Sequence, residues 1–233
     1  MKRFYKNVSV EPEQGGWRAT LDGRGIRTPG GNPQIVPTRA LAEALAAEWA
    51  AQGEEIDPST LPLRDMADLA LDAIGADRAE AVRSILAYAE TDTLCYRADP
   101  DEPLFARQQE VWEPLLQRIE ALHGLRFQRV SGIVHRPQPA ETLERLSALL
   151  EGKDDFTLAA LRLLASLAAS LTVALAALEQ GADAEALWRA ANCEEDWQAE
   201  LWGWDTMAAD RRAERLAAFT RAMDFARLAT TAG

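Results

Sequence analysis

The amino-terminal part of the chain alternates between apolar and polar positions and predicts a small antiparallel β unit. Residues 4–10 are rich in aromatic and β-branched side chains, and residues 17–21 alternate with period two. Asp22-Gly23 supplies the positive-φ residue of a tight hairpin turn, after which residues 24–28 form the return strand. Residues 34–36 add a last short strand. A sheet of this size gains little stability from burial alone, so we expect it to pack against helices.

From Pro37 onward the spacing of apolar residues changes to three or four, which predicts helices. The first helix is expected to have Thr38 as its N-cap and to end near Gly53. Pro114 is expected to kink or break the helix that contains it. The predicted helices cover residues 38–53, 61–74, 77–89, 104–122, 139–150, 154–180, 183–205 and 208–228.

These elements predict an α+β fold. Residues 93–97 break the helical period and are expected to be extended, and the flanks of Ser131-Gly132 are expected to form a hairpin near 93–136. The expected domains are a small N-terminal antiparallel β domain, residues 1–58, and a larger, mainly α-helical domain, residues 59–233.

Residues 194–205, the tryptophan–acid segment, place three tryptophans among five carboxylates. On one continuous helix over 183–205, the carboxylates would fall within two adjacent apolar stripes instead of on the opposite face. In the structural interpretation, one side of this helix is core and the acids lie at its solvated edges. In the functional interpretation, tryptophan, leucine and carboxylate form a partner-binding surface, since aromatic residues surrounded by charge are typical of interfaces. The four tryptophans of this helix cannot all face the same way, so at least one is expected at or near the surface.

Composition narrows the classes of partner. The 233 residues carry a net charge of −12, which argues against binding to nucleic acid or to an anionic membrane surface but allows a basic protein client. No charge-free apolar run is long enough to span a bilayer, so no membrane insertion is expected. Cys95 and Cys193 are far apart and indicate a reducing compartment without a disulfide framework. With no signal or transit segment at the start, a cytoplasmic location is expected.

Few residues suggest catalysis. His123 and His135 are the only histidines, and neither has metal-type spacing. No nucleophile motif or phosphate-binding loop is present, so no enzymatic activity, metal or cofactor is expected. The alternative is a small-molecule-binding protein or enzyme with a carboxylate-lined pocket, which predicts a deep cavity that holds Glu195 with a raised pKa. A third class is a structural scaffold subunit, which predicts stable co-purification with its partners.

Several sequence blocks, in order along the chain, resemble one known family. They are residues 3–8, 21–24, 27–29, 48–52, 61–63, 70–72, 91–97 and 194–198, together with Gln109, Trp112, Pro114, Trp202 and Gly203. The chain is similar to the assembly chaperones that act on the alpha subunit of the F-type ATP synthase catalytic head, from Arg3 to about Asp205. The absence of a presequence and the preference for arginine over lysine resemble a bacterial member.

The resemblance implies an N-terminal β domain, a C-terminal helical domain and no enzymatic activity. It also implies a function, which is to hold the free alpha subunit and to shield the surface that later meets beta subunits. Glu194 and Glu195 match the functional acids of the family's Glu-Glu-x-aromatic-Gln block, and Asp205 is a candidate for a further acid. We expect a monomer in which Trp202 or Trp204 anchors the client and the acids meet a basic side chain. The predicted partner-binding residues are Glu194, Glu195, Gln198, Trp202, Trp204 and Asp205.

Overall fold

The computed structural model describes residues 1–132, 134–203 and 205–230. It begins with a three-stranded antiparallel sheet in the order β1 (Val8–Glu13), β2 (Gly16–Leu21) and β3 (Arg24–Gly25). The predicted turn joins β2 to β3, with φ of 50° at Asp22 and 77° at Gly23. The Asp22 carboxylate stabilises this turn because it accepts a hydrogen bond from the backbone N–H of Asn7 at 2.8 Å. The predicted β unit is therefore confirmed, although its first strand starts at Val8.

The short strand predicted at 34–36 is present as one bridge. Trp17 and Val36 exchange both backbone hydrogen bonds, at 2.9 and 2.8 Å. This pairing brings two backbones close together at Gly16, where a Cβ would lie 2.2 Å from the Val36 carbonyl oxygen. Only glycine fits there, so the edge of the sheet depends on that residue.

Helices make up most of the remaining chain, which confirms the α+β class. Thr38 is the N-cap of the first helix, and its hydroxyl accepts from the Leu41 N–H at 3.1 Å. A π-helical segment, Leu69–Ile74, follows α2, and short 3₁₀ turns lie at Pro58–Thr60 and Thr93–Cys95. The α-helices are α1 (Arg39–Ala50), α2 (Pro62–Asp68), α3 (Arg78–Glu90), α4 (Pro103–His123), α5 (Ala140–Glu151), α6 (Asp155–Ala168), α7 (Leu171–Ala176), α8 (Ala184–Ala191), α9 (Cys193–Trp202) and α10 (Thr206–Thr230). Within the described residues, none combines the length and apolar character needed to cross a bilayer.

The helix predicted over 154–180 is in fact two helices. The chain leaves α6 at Ala169, which adopts φ of 48°, and α7 starts after the N-cap Ser170. The buried Asp92 carboxylate accepts bonds from the Ser170 hydroxyl at 2.7 Å and from the Thr172 N–H at 2.8 Å. Burial raises the pKa of Asp92, and these bonds oppose that shift. A distant acid therefore fixes a break that has no local glycine or proline signal.

The proline expected to kink or break a helix does not end it. Pro114 lies within α4, which continues from Pro103 to His123. The helix ends at Gly124, whose φ of 64° is the left-handed conformation of a helix C-cap.

In the region of the predicted hairpin near 93–136, the structure has a short parallel strand pairing. Strand β4 (Tyr96–Arg97) pairs in parallel with β5 (Val130–Ser131), so the Cys95 stretch does contact the Ser131 region. Residues 125–129 carry no strand. The second arm of the predicted hairpin starts at Ile133, which lies outside the described residues.

Two groups of segments each form a compact unit. The first unit contains Met1–Ala81, Asp154–Ala160 and the chain from Asp224 onward, and the second contains Val82–Lys153 and Leu161–Met223. These units are defined by contacts between residues, which does not establish that either unit folds on its own. The expected domain boundary at residue 58 therefore stays a prediction.

The core of the first unit is built around an aromatic pair. The rings of Tyr5 and Trp49 meet edge to face at 5.9 Å, and the Tyr5 hydroxyl donates to the Trp49 carbonyl at 2.6 Å. Leu21, Ile56 and Leu61 complete this buried cluster. Sheet, first helix and the start of α2 thus share one apolar core, as the marginal size of the sheet required.

In the second unit, a partly buried ion-pair network fixes β4 and β5 to α4. Arg97, which is buried, donates to Glu113 at 2.7 Å, and Arg129 donates to the same carboxylate at 2.9 Å. Arg129 also pairs with Glu120. Burial works to raise the pKa of Glu113, but the bonds from Arg129 and Arg97 prevail and lower it to about 2.

Replacing Trp49 by alanine should strongly destabilise the protein. The substitution removes a buried indole that packs on Tyr5, and truncation of a core tryptophan costs about 3–5 kcal/mol. Urea unfolding should show the lower free energy of unfolding. An unchanged midpoint would mean that the Tyr5–Trp49 contact does not support the first unit.

Replacing Glu113 by glutamine should change the acid dependence of stability. The pKa of this carboxylate is lower in the folded than in the unfolded protein, so its contribution is complete above about pH 4.5 and disappears as the pH falls toward 2. The melting temperature of Glu113→Gln should therefore lie below that of the wild type at neutral pH, and the difference should shrink through this window. Glu144→Gln, at an exposed position of α5, is the control and should follow the wild type. A constant difference between Glu113→Gln and the wild type would contradict the prediction.

Candidate functional site

The tryptophan–acid segment lies on α9, which is separate from α8. The single helix predicted over 183–205 is wrong, because Asn192 between α8 and α9 leaves the helical conformation with ψ of 25°. Its side-chain amide donates to the Trp188 carbonyl at 2.8 Å and so competes with the helical ladder. The two predicted stripes therefore do not continue across the break. Leu187 on α8 is buried, whereas Leu201 on α9 is 59% exposed.

Polar contacts, more than apolar burial, hold α9 in place. Among its described residues only Cys193 is buried. The Gln108 amide donates to Glu194 at 2.7 Å, and Arg107 pairs with Glu200 at 2.7 Å. On the α10 side, Arg212 lies 2.6 Å from Asp196.

Glu195 has a looser position than the other acids of this helix. It lies 3.5 Å from Arg212, whose closer partner is Asp196, and half of its side chain is exposed. Burial raises the pKa of Glu194, which the bond from Gln108 opposes, and burial also raises the pKa of Asp196 against the effect of Arg212. Glu194 and Asp196 are therefore partly desolvated and bound to neighbouring side chains of the protein. Glu195 is more exposed to solvent.

Three large apolar side chains near the carboxyl end of α9 are exposed. Gly203 ends the helix with φ of 85°, and Trp202, the last helical residue, is 85% exposed. Leu201 beside it is also exposed, and Met207 at the start of α10 is 68% exposed. The expectation that at least one tryptophan of this region lies at the surface is confirmed.

Four of the six predicted site residues lie together on α9. Glu195, Gln198 and Trp202 follow at helical spacing on one face, so that Glu195 and Trp202 are about 10.5 Å apart along the axis. Glu194, one turn before Gln198, is exposed beside them. Trp204 lies outside the described residues. These placements leave the binding role of the site residues a prediction.

Asp205 is exposed but has a structural partner. Its carboxylate accepts from the Ala208 N–H at 3.2 Å, and its carbonyl accepts from the Ala209 N–H at 3.0 Å. It therefore caps α10.

Several residues of this surface had no signal in the sequence. On α4, Gln108 donates to Glu194 and Arg107 donates to Glu200, which are 86 and 93 positions away in the chain. On α10, Arg212 donates to Asp196. Met207 contributes exposed apolar area next to the tryptophan–acid segment. Pairings over such separations follow from the fold and could not be found by local spacing.

The cavity beside α9 differs from the pocket that the rival hypothesis requires. It has a volume of about 570 Å³, and its lining includes Asp196 and Glu200, which are paired with Arg212 and Arg107. Glu195 does not line it. Among the described residues, no three histidine, cysteine or acidic side chains are placed to hold a metal ion. The geometry thus favours an exposed docking surface over a carboxylate-lined pocket.

Several residues from the sequence blocks have structural roles. Glu48 caps α2 by accepting from the N–H groups of Leu63 and Arg64 at 2.8 and 3.0 Å. Asp72 accepts from the Gly30 N–H at 2.8 Å and holds the loop after β3. Glu48 and Asp72 therefore stabilise the fold, whereas the α9 block has its acids Glu194 and Glu195 exposed.

Comparison with known proteins finds relatives that match most of the chain. The sequence matches the family described as ATP12 chaperone protein over residues 2–120. Protein atp12, mitochondrial, of Schizosaccharomyces pombe is 26% identical over 214 residues, which cover 87% of this chain and 74% of that protein. The crystal structure of Atp12 from Paracoccus denitrificans is similar with a TM-score of 0.92 and 36% identity, and the match covers 98% of each chain. The Atu1473 protein of Agrobacterium tumefaciens has a TM-score of 0.92 at 39% identity, over 97% of this chain and 85% of that chain.

Trp188 and Trp202 are 14 positions apart in the chain and should differ strongly in how much their truncation destabilises the protein. Trp202→Ala removes an exposed indole and should change the free energy of unfolding by no more than about 0.5 kcal/mol. Trp188→Ala removes a buried indole that packs on Phe219 at 5.6 Å and should cost about 3–5 kcal/mol. Thermal melts of both variants test the pair. A large loss of stability in Trp202→Ala would show that this indole is structural.

Proposed function

Because the chain belongs to the ATP12 chaperone family, whose members assist assembly of the ATP synthase, we propose that its client is the free alpha subunit of the F-type ATP synthase catalytic head. In this proposal the protein covers the alpha-subunit surface that later meets beta subunits and is displaced during assembly. The family assignment agrees with a role in binding and not in catalysis. A cytoplasmic location and a monomeric state, both expected from the sequence, remain parts of the proposal.

The observation that carries the proposal is the exposure of Trp202 at the end of an acidic helix. A tryptophan that is 85% exposed contributes little to stability through burial, while indoles are among the strongest anchors of protein interfaces. Leu201, its neighbour in the chain, and Met207 at the start of α10 are exposed as well. An unassembled subunit exposes an apolar interface of its own, and this patch offers that interface a complementary surface.

Charge should orient the client on this patch. Glu195 lies on the same face of α9 as Trp202 and is half exposed, so it can meet an arginine or lysine of the client. Glu194 contributes a second carboxylate whose pKa is raised by burial. Exposed charges at an interface rim act mainly on association rate and orientation, while the apolar anchor contributes affinity.

The contacts that α9 makes within the protein are compatible with reversible binding of a client. Glu195, which is proposed to face the client, also lies 3.5 Å from Arg212 of this chain, and Glu194 accepts a hydrogen bond from Gln108. After release of a client, these carboxylates therefore still have partners within the chain. Binding can then be specific without being permanent, as an assembly chaperone requires.

Reversing the charge of Glu195 should weaken capture of the alpha subunit while the protein stays folded. Glu195→Lys places a cation where the client is proposed to present one, so the association rate should fall by about tenfold. Surface plasmon resonance with purified alpha subunit measures the rates, and circular dichroism with thermal melting checks the fold. Because lysine would also repel Arg212, Glu195→Gln is the milder companion and should show a smaller decrease.

The matched control is Glu144→Lys, which makes the same charge change at an exposed position of α5. It should bind the alpha subunit like the wild type. Equal losses in both lysine variants would mean that net charge, and not the α9 surface, governs capture. An unfolded Glu195→Lys together with a fully active Glu195→Gln would assign Glu195 a structural role.

A further inference from the structure

The first unit contains a second open groove with an apolar floor. The cavity has a volume of about 610 Å³, within the range of sites that bind ligands or peptide side chains. Tyr5, Leu21 and Trp49 form its floor. At its rim, Met1 is 77% exposed and Phe4 is 66% exposed. Two large apolar side chains in water beside an apolar groove leave a surface that a partner could cover.

Cations surround this groove in an otherwise acidic protein. Arg24 and Arg27 line it and are exposed, and in the described part of the chain neither has a carboxylate partner. Arg27 donates to the Gly31 carbonyl at 2.7 Å. Residues 1–36 contain six basic and three acidic residues, a net charge of +3 in a chain of net −12.

The remaining charged side chains at the groove are already engaged. Arg64 pairs with Asp65 at 2.9 Å and lies 5.9 Å above the Trp49 ring. Asp22, the one acid in the lining, accepts the backbone N–H groups of Asn7 and Lys6 and stabilises the hairpin turn. Arg24 and Arg27 are therefore the charged side chains of the lining that can bind a ligand, and their charge favours an anion.

We propose that this groove is a second docking surface, and that its occupant is a segment of the client polypeptide with apolar side chains next to carboxylates. The polypeptide nature of the occupant rests on the proposed chaperone function. Apolar side chains would fill the floor and cover Phe4 and Met1, while carboxylates would pair with Arg24 and Arg27, whose planar guanidinium groups match a carboxylate in two-point contact. The α9 surface selects for basic groups and this groove for acidic ones, so a client that satisfies both is recognised by two opposite charge patterns.

A labelled peptide can test the groove without the alpha subunit. The probe is a short fluorescein-labelled peptide of leucine, phenylalanine and glutamate, measured by fluorescence anisotropy. It should bind the wild type, and added salt should weaken binding because exposed charge pairs are screened. The same peptide with glutamine in place of glutamate should bind about tenfold more weakly.

Substitutions at the groove test whether the peptide binds there. Arg24→Glu/Arg27→Glu should weaken the glutamate peptide by about tenfold or more, and Phe4→Ala should weaken both peptides. Arg126→Glu/Arg221→Glu reverses two exposed arginines of the second unit, makes the same change in net charge and should bind like the wild type. If the first double variant fails to fold, Arg24→Gln/Arg27→Gln tests the same contacts with less repulsion.

Three results would overturn the proposal. The first is equal binding of the two peptides, and the second is unchanged binding by the Arg24 and Arg27 variants. The third is a concentration-dependent dimer, seen by analytical ultracentrifugation, that the same variants abolish, because the occupant would then be a second copy of this chain. Since the peptide assay does not involve the alpha subunit, its failure leaves capture through Glu195 untouched. Failure of Glu195→Lys to affect capture would in turn leave the peptide result intact.

Discussion

The attachment of α9 by charged and polar contacts is the constraint on which the candidate site depends. A helix buried by apolar residues would hide its tryptophan, whereas here Gln108, Arg107 and Arg212 hold the acids and leave the apolar end in water. Such contacts contribute modest free energy each, because exposed ion pairs are screened and ordered at an entropic cost. The arrangement keeps the helix in position without covering Trp202.

Exposed apolar residues also carry a risk, since they promote association of one copy with another. The net charge of −12 opposes this, because copies of a strongly charged protein repel one another in solution. The acids of α9 place part of that charge directly beside Trp202. In the proposed function, the same carboxylates oppose self-association through this surface and favour a client of opposite charge.

The two units divide the tasks. In the first, the Tyr5–Trp49 pair and the caps supplied by Glu48 and Asp72 make a small sheet stable by tying it to helices. In the second, the network of Arg97, Glu113 and Arg129 holds α4, which in turn contributes Gln108 to α9. Residues from several of the sequence blocks, among them Tyr5, Glu48 and Asp72, therefore build the scaffold.

The sequence by itself determined the period-two strands, the turn at Asp22-Gly23, the Thr38 cap and the membership of the family, because these depend on neighbouring residues or on blocks in fixed order. It did not determine where the long helices break. The break at Ala169 depends on Asp92, whose carboxylate is 78 positions away from Ser170. Likewise, Trp188 and Trp202 are the same residue type in similar local sequence, yet one is buried and the other is exposed. Tertiary structure decided that difference, because burial depends on which distant elements cover a helix. The local spacing of residues does not specify those elements.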